Sequence, residues 1–193
     1  PTYVLIAPSV AVGLAWCALR PRPEQTVENT GDDRSEPQQA DSSTSFTDPT
    51  TGLANARYLE MFLRREASRA ERGGAPLSLA VFDLDDAGKR QRKADAGGEA
   101  VACMGSRLKS SVREYDLVAM SASGRVIVAL PEAGAEEAFE ISERLHESVT
   151  SPSVKGRRIS ASVGIATLPD HASTADELIN AAHHALNQGR FTG

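Results

Sequence analysis

The eight residues LSLAVFDL at 77–84 constrain this chain more than any other stretch. Their near-continuous apolar run, without the alternation of a half-exposed strand, reads as a strand covered on both faces. The run closes in acids, Asp83, Asp85 and Asp86. Carboxylates at the end of a buried strand are costly unless a cation or hydrogen-bond donors meet them. The fold must therefore cover both sides of a sheet, and something must answer the charge where the strand ends.

The flanking patterns supply the cover. Leu59, Phe62, Leu63, Ala67 and Ala70 mark one face of a helix over residues 53–72. Val101, Met104, Leu108 and Val112 mark a second, and Ala138, Ile141, Leu145 and Val149 a third. Two apolar strands at 117–120 and 126–130 are joined by a tight turn through Ser121, Ala122, Ser123 and Gly124, a hairpin by its length and its glycine. A further strand is expected over 159–167, and Thr174 with Glu177 forms a capping box that opens a last helix reaching residue 187. A hairpin inside an otherwise alternating helix and strand order predicts an α/β (α+β) fold, with a central mixed sheet flanked by helices.

The first 46 residues differ from the rest. Residues 1–19 carry no charge, and 3–19 would span roughly 25 Å as a helix, close to the apolar thickness of a bilayer. Arg20 and Arg22 follow, and Trp16 sits near that end, so residues 1–20 read as a transmembrane anchor, with a signal peptide or a buried helix as alternatives. That orientation predicts a single-pass protein of the inner membrane with its domain in the cytoplasm. Residues 21–46 hold six acids against two arginines and almost nothing apolar, the composition of a disordered linker. The folded domain is then 47–193, a fitting size for one core within a chain of 193 residues.

A net charge of −5 argues against nucleic acid, whose binding needs a basic face. Cys17 and Cys103 lie far apart with no metal-ligand spacing, and the four histidines show none either.

Five stretches taken together, DPTTGLANARYLEMFL, FDLDD, the hairpin ending in ALP, SASVGIATLP and TADELINAAHHAL, resemble a GGDEF domain, the diguanylate cyclase family, from residue 48 to the C-terminus. The resemblance implies a sheet related to the palm of nucleotide cyclases and signalling through cyclic di-GMP. It also implies a reaction in which two GTP molecules, held by facing domains with Mg2+, are joined with loss of pyrophosphate. In the family the metal is held by the first acid of the strand end, the next residue's carbonyl and two signature acids. Asp83 and Leu84 match the strand end, but the signature aligns with Ala122, Ser123, Gly124, Arg125 and Val126, so that GGDEF reads ASGRV. Both acids are gone, and Arg125 is expected to neutralise the aspartates by a charge-assisted pair, or else to point to solvent. The vestigial site is thus Asp83, Leu84, Gly124 and Arg125, with no metal and no cofactor, Mg2+ entering only if GTP still binds.

Other family contacts differ as well. Gln91 or Arg92 stands near the place of a guanine-reading asparagine, and Gly98 near that of an aspartate. Arg190 takes the place of a phosphate-gripping lysine. Arg113 and Asp116 form an RxxD at the position of the family's inhibitory site for cyclic di-GMP, and Arg144 matches a basic residue that completes such sites. An arginine fork can bond guanine O6 and N7 or a phosphate, while a carboxylate accepts from guanine N1 and N2. The alternative is a local turn, with Arg113 at a helix C-terminus and Asp116 tying the backbone.

These readings predict a catalytically inactive, membrane-anchored receptor for cyclic di-GMP that passes its signal to an effector protein. Homodimerisation through ligand shared between two RxxD sites would be helped by the anchor. A scaffold that binds no nucleotide is the alternative. An active cyclase would have to hold its metal with Asp83, Asp85 and Asp86 alone.

Overall fold

The computed structural model describes residues 4–5, 45–85, 98–151 and 160–192. In chain order the elements are β1 (Val4–Leu5), α1 (Ala56–Gly73), β2 (Leu77–Leu84), α2 (Glu99–Ser111), β3 (Leu117–Met120), β4 (Val126–Pro131), α3 (Ala135–Thr150), β5 (Ala161–Leu168) and α4 (Ala175–Thr192). They form one sheet of strand order β1-β5-β2-β4-β3.

Every ladder in this sheet is antiparallel, which corrects the expected mixed sheet. The reason is topological. The α2 crossover carries the chain from β2 past the next position to β3, and β4 then returns into the gap, antiparallel to both. The α3 crossover likewise passes over β2 to place β5 on its far side. Strands joined by a helix are therefore parallel to one another without being neighbours, the split arrangement of a β-α-β-β-α-β unit. The parallel contact present is the isolated bridge between Ala54 and Ala119.

Period two along β2 divides the core. Ala80, Phe82 and Leu84 pack with Met104 and Leu108 of α2 and with Ile141 and Leu145 of α3. Leu77, Leu79 and Val81 pack with Leu59 and Leu63 of α1 and with Leu178, Ala182 and Leu186 of α4. All eight residues of β2 are buried, as a strand with helices on both faces must be. Each of its leucines contributes about 1.5–3 kcal/mol by leaving water. Asp83, by parity, stands on the α1 and α4 side.

The helix ends follow local chemistry. The Asn55 side chain accepts from the Tyr58 N–H and caps α1. Thr174 Oγ1 accepts from Glu177 N at 3.2 Å, and Glu177 Oε2 accepts from Ser173 N at 2.8 Å, so the expected capping residues act at the start of α4. Arg107 of α2 donates through Nη1 to the carbonyls of Ser148, at 2.9 Å, and Val149, at 3.2 Å, closing the end of α3.

Most of the segment expected to form a membrane anchor and linker lies outside the described residues. Within it, Val4 and Leu5 pair with Gly164 and Val163 at the edge of the sheet. Among the described residues, no helix is long and apolar enough to cross a membrane.

Candidate functional site

The acidic end of β2 meets three elements. The last ladder pair between β2 and β4 is Phe82 with Val126, so Asp83 and Arg125 follow on adjacent strands and on the same face. Arg125 Nε donates to Asp83 Oδ2 at 3.0 Å, and its Nη1 lies 2.9 Å from His183 Nδ1 on α4. The pair is largely dry, with the Asp83 side chain 9% and the Arg125 side chain 23% exposed.

The turn before Arg125 is built to hold it there. Gly124 N donates to the Ser121 carbonyl at 3.0 Å, and Ser121 N donates to the Arg125 carbonyl at 2.9 Å. Gly124 has φ of 78°, the left-handed conformation that lets a three-residue hairpin loop close through a bulge. Arg125 N also donates to Ser121 Oγ at 3.0 Å.

Asp85 finds different partners. Across the strand pair, Ser162 Oγ donates to its Oδ1 at 2.6 Å, and Ser160 Oγ donates to its Oδ2. Two serine hydroxyls and one guanidinium thus answer the two carboxylates. Asp86 and the loop holding Gln91 and Arg92 lie outside the described residues. Gly98 is the N-cap of α2 with φ of 69° and supplies no side chain. Arg190 lies in the last turns of α4, its side chain outside the described set.

His183 was not singled out by sequence. Burial pushes its pKa down, Arg125 adds to that effect, and Asp83 opposes it. The neutral ring is therefore favoured, and with Nδ1 unprotonated it accepts from Arg125. Among the described residues, no group of three His, Cys, Asp or Glu could hold a metal. Asp83, the carboxylate that ends β2, is engaged by Arg125, so the described residues at this strand end do not fit a Mg2+ site.

The Arg113 to Asp116 turn lies at the end of α2. Asp116 Oδ2 accepts from Arg113 N at 2.8 Å, and Asp116 N donates to the Arg113 carbonyl at 3.2 Å. The two side chains do not pair in that contact: Arg113 sends Nη2 to Glu137 Oε1 at 3.0 Å and Nη1 to Tyr115 Oη at 2.9 Å. Burial pushes the Asp116 carboxyl up, against the lowering effects of the Arg113 N–H and charge. Arg144, from α3, donates through Nη2 to the Ser111 carbonyl at 3.4 Å, so it borders the same corner. Tyr115 is 55% exposed there, a feature that its place inside the RxxD could have signalled.

Residues 45–193 match the family described as diguanylate cyclase, GGDEF domain. The chain belongs to the GGDEF family. Among relatives of this GGDEF protein, the response regulator PleD of Caulobacter vibrioides is 30% identical over 157 residues, which are 77% of this chain and 35% of PleD. The chain thus spans about a third of that relative's length. The fold superposes on the Pseudomonas aeruginosa diguanylate cyclase SiaD, solved with its activator SiaC, with a TM-score of 0.71 and 29% identity, covering 77% of this chain and 59% of SiaD. It also superposes on the coiled coil and GGDEF domain of DgcB from Caulobacter crescentus, solved with c-di-GMP, with a TM-score of 0.69 over 77% of this chain and 82% of that one. Identity to DgcB is 23%, a likeness of fold alone.

Proposed function

We propose that this GGDEF domain makes no cyclic di-GMP and instead binds it, as a membrane-associated receptor that signals to another protein. The observation that carries the inactive half of this reading is the Arg125 to Asp83 ion pair. At the position where the family signature has an acid, ASGRV supplies a guanidinium, and that guanidinium holds the strand-end aspartate. A cation approaching Asp83 would have to displace an arginine held by His183 as well.

The receptor half rests on the RxxD corner. Arg113 is 51% exposed and presents its planar fork beside an exposed tyrosine ring, with Asp116 and Arg144 adjacent. These are groups that would bond a guanine edge and a phosphate, with a ring to stack on a base. Binding requires Arg113 to exchange its bonds to Glu137 and Tyr115 for the ligand. Those bonds favour the second reading, a scaffold that binds no nucleotide and in which the RxxD serves the turn alone.

Calorimetric titration of the full chain with cyclic di-GMP separates the two. The receptor reading predicts saturable heat that Arg113→Ala abolishes, and at a hundred times the dissociation constant about 2.7 kcal/mol of added stability. No heat leaves the scaffold, whereas the same affinity in Arg113→Ala overturns the assignment of the ligand to the RxxD corner.

A further inference from the structure

We propose that the solvent face of α1 is a docking surface for anionic phospholipid headgroups. This goes beyond the nucleotide-binding reading and does not depend on it. The helix carries five arginines, Arg57, Arg64, Arg65, Arg69 and Arg72, against three glutamates, in a chain whose net charge is −5. At 100° per residue, Arg57, Met61, Arg64, Arg65 and Arg72 fall on one face, with the exposed Glu60 and Glu71 along its edge, opposite the buried Leu59, Leu63 and Glu66. All five arginines are exposed.

Two facts separate this strip from an ordinary solvated face. Three of the four exposed large hydrophobic residues of the described chain belong to it: Met61 at 52%, Phe46 at 43% and Tyr58 at 37%. Phe46 and Tyr58 are in edge contact, with centroids 5.5 Å apart, and Arg57 lies 5.9 Å from the centre of the Phe46 ring. Guanidinium groups interleaved with a thioether and two aromatic rings are the chemistry of an interfacial surface: the cations meet phosphates while the apolar tips enter the headgroup boundary. The charge is not wholly available. Arg65 and Arg69 pair with Glu66, and Arg69 also pairs with Glu132. Arg64 and Arg72 therefore carry much of the attraction. The helix carries five arginines against three glutamates, a net charge of +2 within a chain of net charge −5, and this charge complementarity favours a phosphate-rich surface.

The sole tryptophan of the chain is Trp16, which allows a local reporter. In the full-length Trp16→Phe/Met61→Trp protein, vesicles of mixed phosphatidylserine and phosphatidylcholine should shift tryptophan emission to shorter wavelength, whereas pure phosphatidylcholine should leave it unchanged. The shift should vanish at about 1 M salt, where the Debye length is roughly 3 Å. It should vanish in Arg64→Glu/Arg72→Glu and persist in Arg64→Lys/Arg72→Lys. An equal shift on phosphatidylcholine, no shift on either vesicle, or an unchanged shift in the glutamate variant would overturn the proposal. So would an equal shift with polyglutamate, which would make the occupant an acidic polypeptide. Emission already blue before vesicles and reddened by salt would mean that the acidic residues 21–44 occupy the strip instead.

Discussion

At the scale of single residues, the decisive arrangement is one arginine shared by one aspartate and one histidine. Removing the guanidinium leaves Asp83 charged and largely buried. Arg125→Ala should therefore cost about 1–3 kcal/mol in urea unfolding, and Asp83→Asn made in that background should restore part of the loss. His183 gives the site a pH dependence whose sign follows from its lowered pKa. The folded chain takes up this proton at a lower pH than the unfolded chain, whose histidine titrates at about 6.5. Its contribution is present above that value and is lost as pH falls below it toward the folded pKa. Unfolding midpoints compared across this window should show a steeper acid loss in the wild type than in His183→Asn, whose amide oxygen can still accept from Arg125.

The pair was one of two expectations of the sequence, drawn from aligning ASGRV with the family signature beside the strand-end acids, the other being an Arg125 that points to solvent, and the structure gives the pair. His183 was not: nothing in the run AAHHAL says which helix covers that face of the sheet. The serines were hidden for a related reason. Ser160 and Ser162 reach Asp85 only because β5 is its neighbour, a pairing set by the crossover of α3.

At the scale of elements, helix faces and the hairpin followed from periodicity, whereas strand order did not. Alternating helices and strands suggest parallel neighbours, and it takes the return of β4 between β2 and β3 to make every ladder antiparallel. Among the described glycines, the one with least room for a Cβ is Gly164, where β5 packs on α4. A Cβ on Gly164 would lie 2.2 Å from Leu186 N and 2.4 Å from the Ala182 carbonyl oxygen, both backbone atoms that cannot yield cheaply. Gly164→Ala should push α4 off the sheet and cost about 1–3 kcal/mol or more, read as a lower denaturation midpoint. Because His183 rides on α4, the same substitution should also flatten the acid dependence described above. By contrast, Gly73→Ala, where an added Cβ meets nothing, should leave both unchanged.

At the scale of the whole molecule, family membership accounts for the fold, and the residues at the hairpin tip bear on the chemistry. The fold places Asp83 at the end of a buried strand beside a hairpin tip, and the residues on that tip decide what the aspartate can hold. Here a cation of the chain itself occupies it, while a second charged corner at Arg113, Tyr115 and Arg144 faces solvent. We propose that this occupancy excludes catalysis, which is tested by incubating the purified chain with GTP and Mg2+ and quantifying cyclic di-GMP by chromatography. No product above a protein-free blank is expected, at any protein concentration that would allow two domains to meet. Cyclic di-GMP accumulating in proportion to protein and time would contradict it.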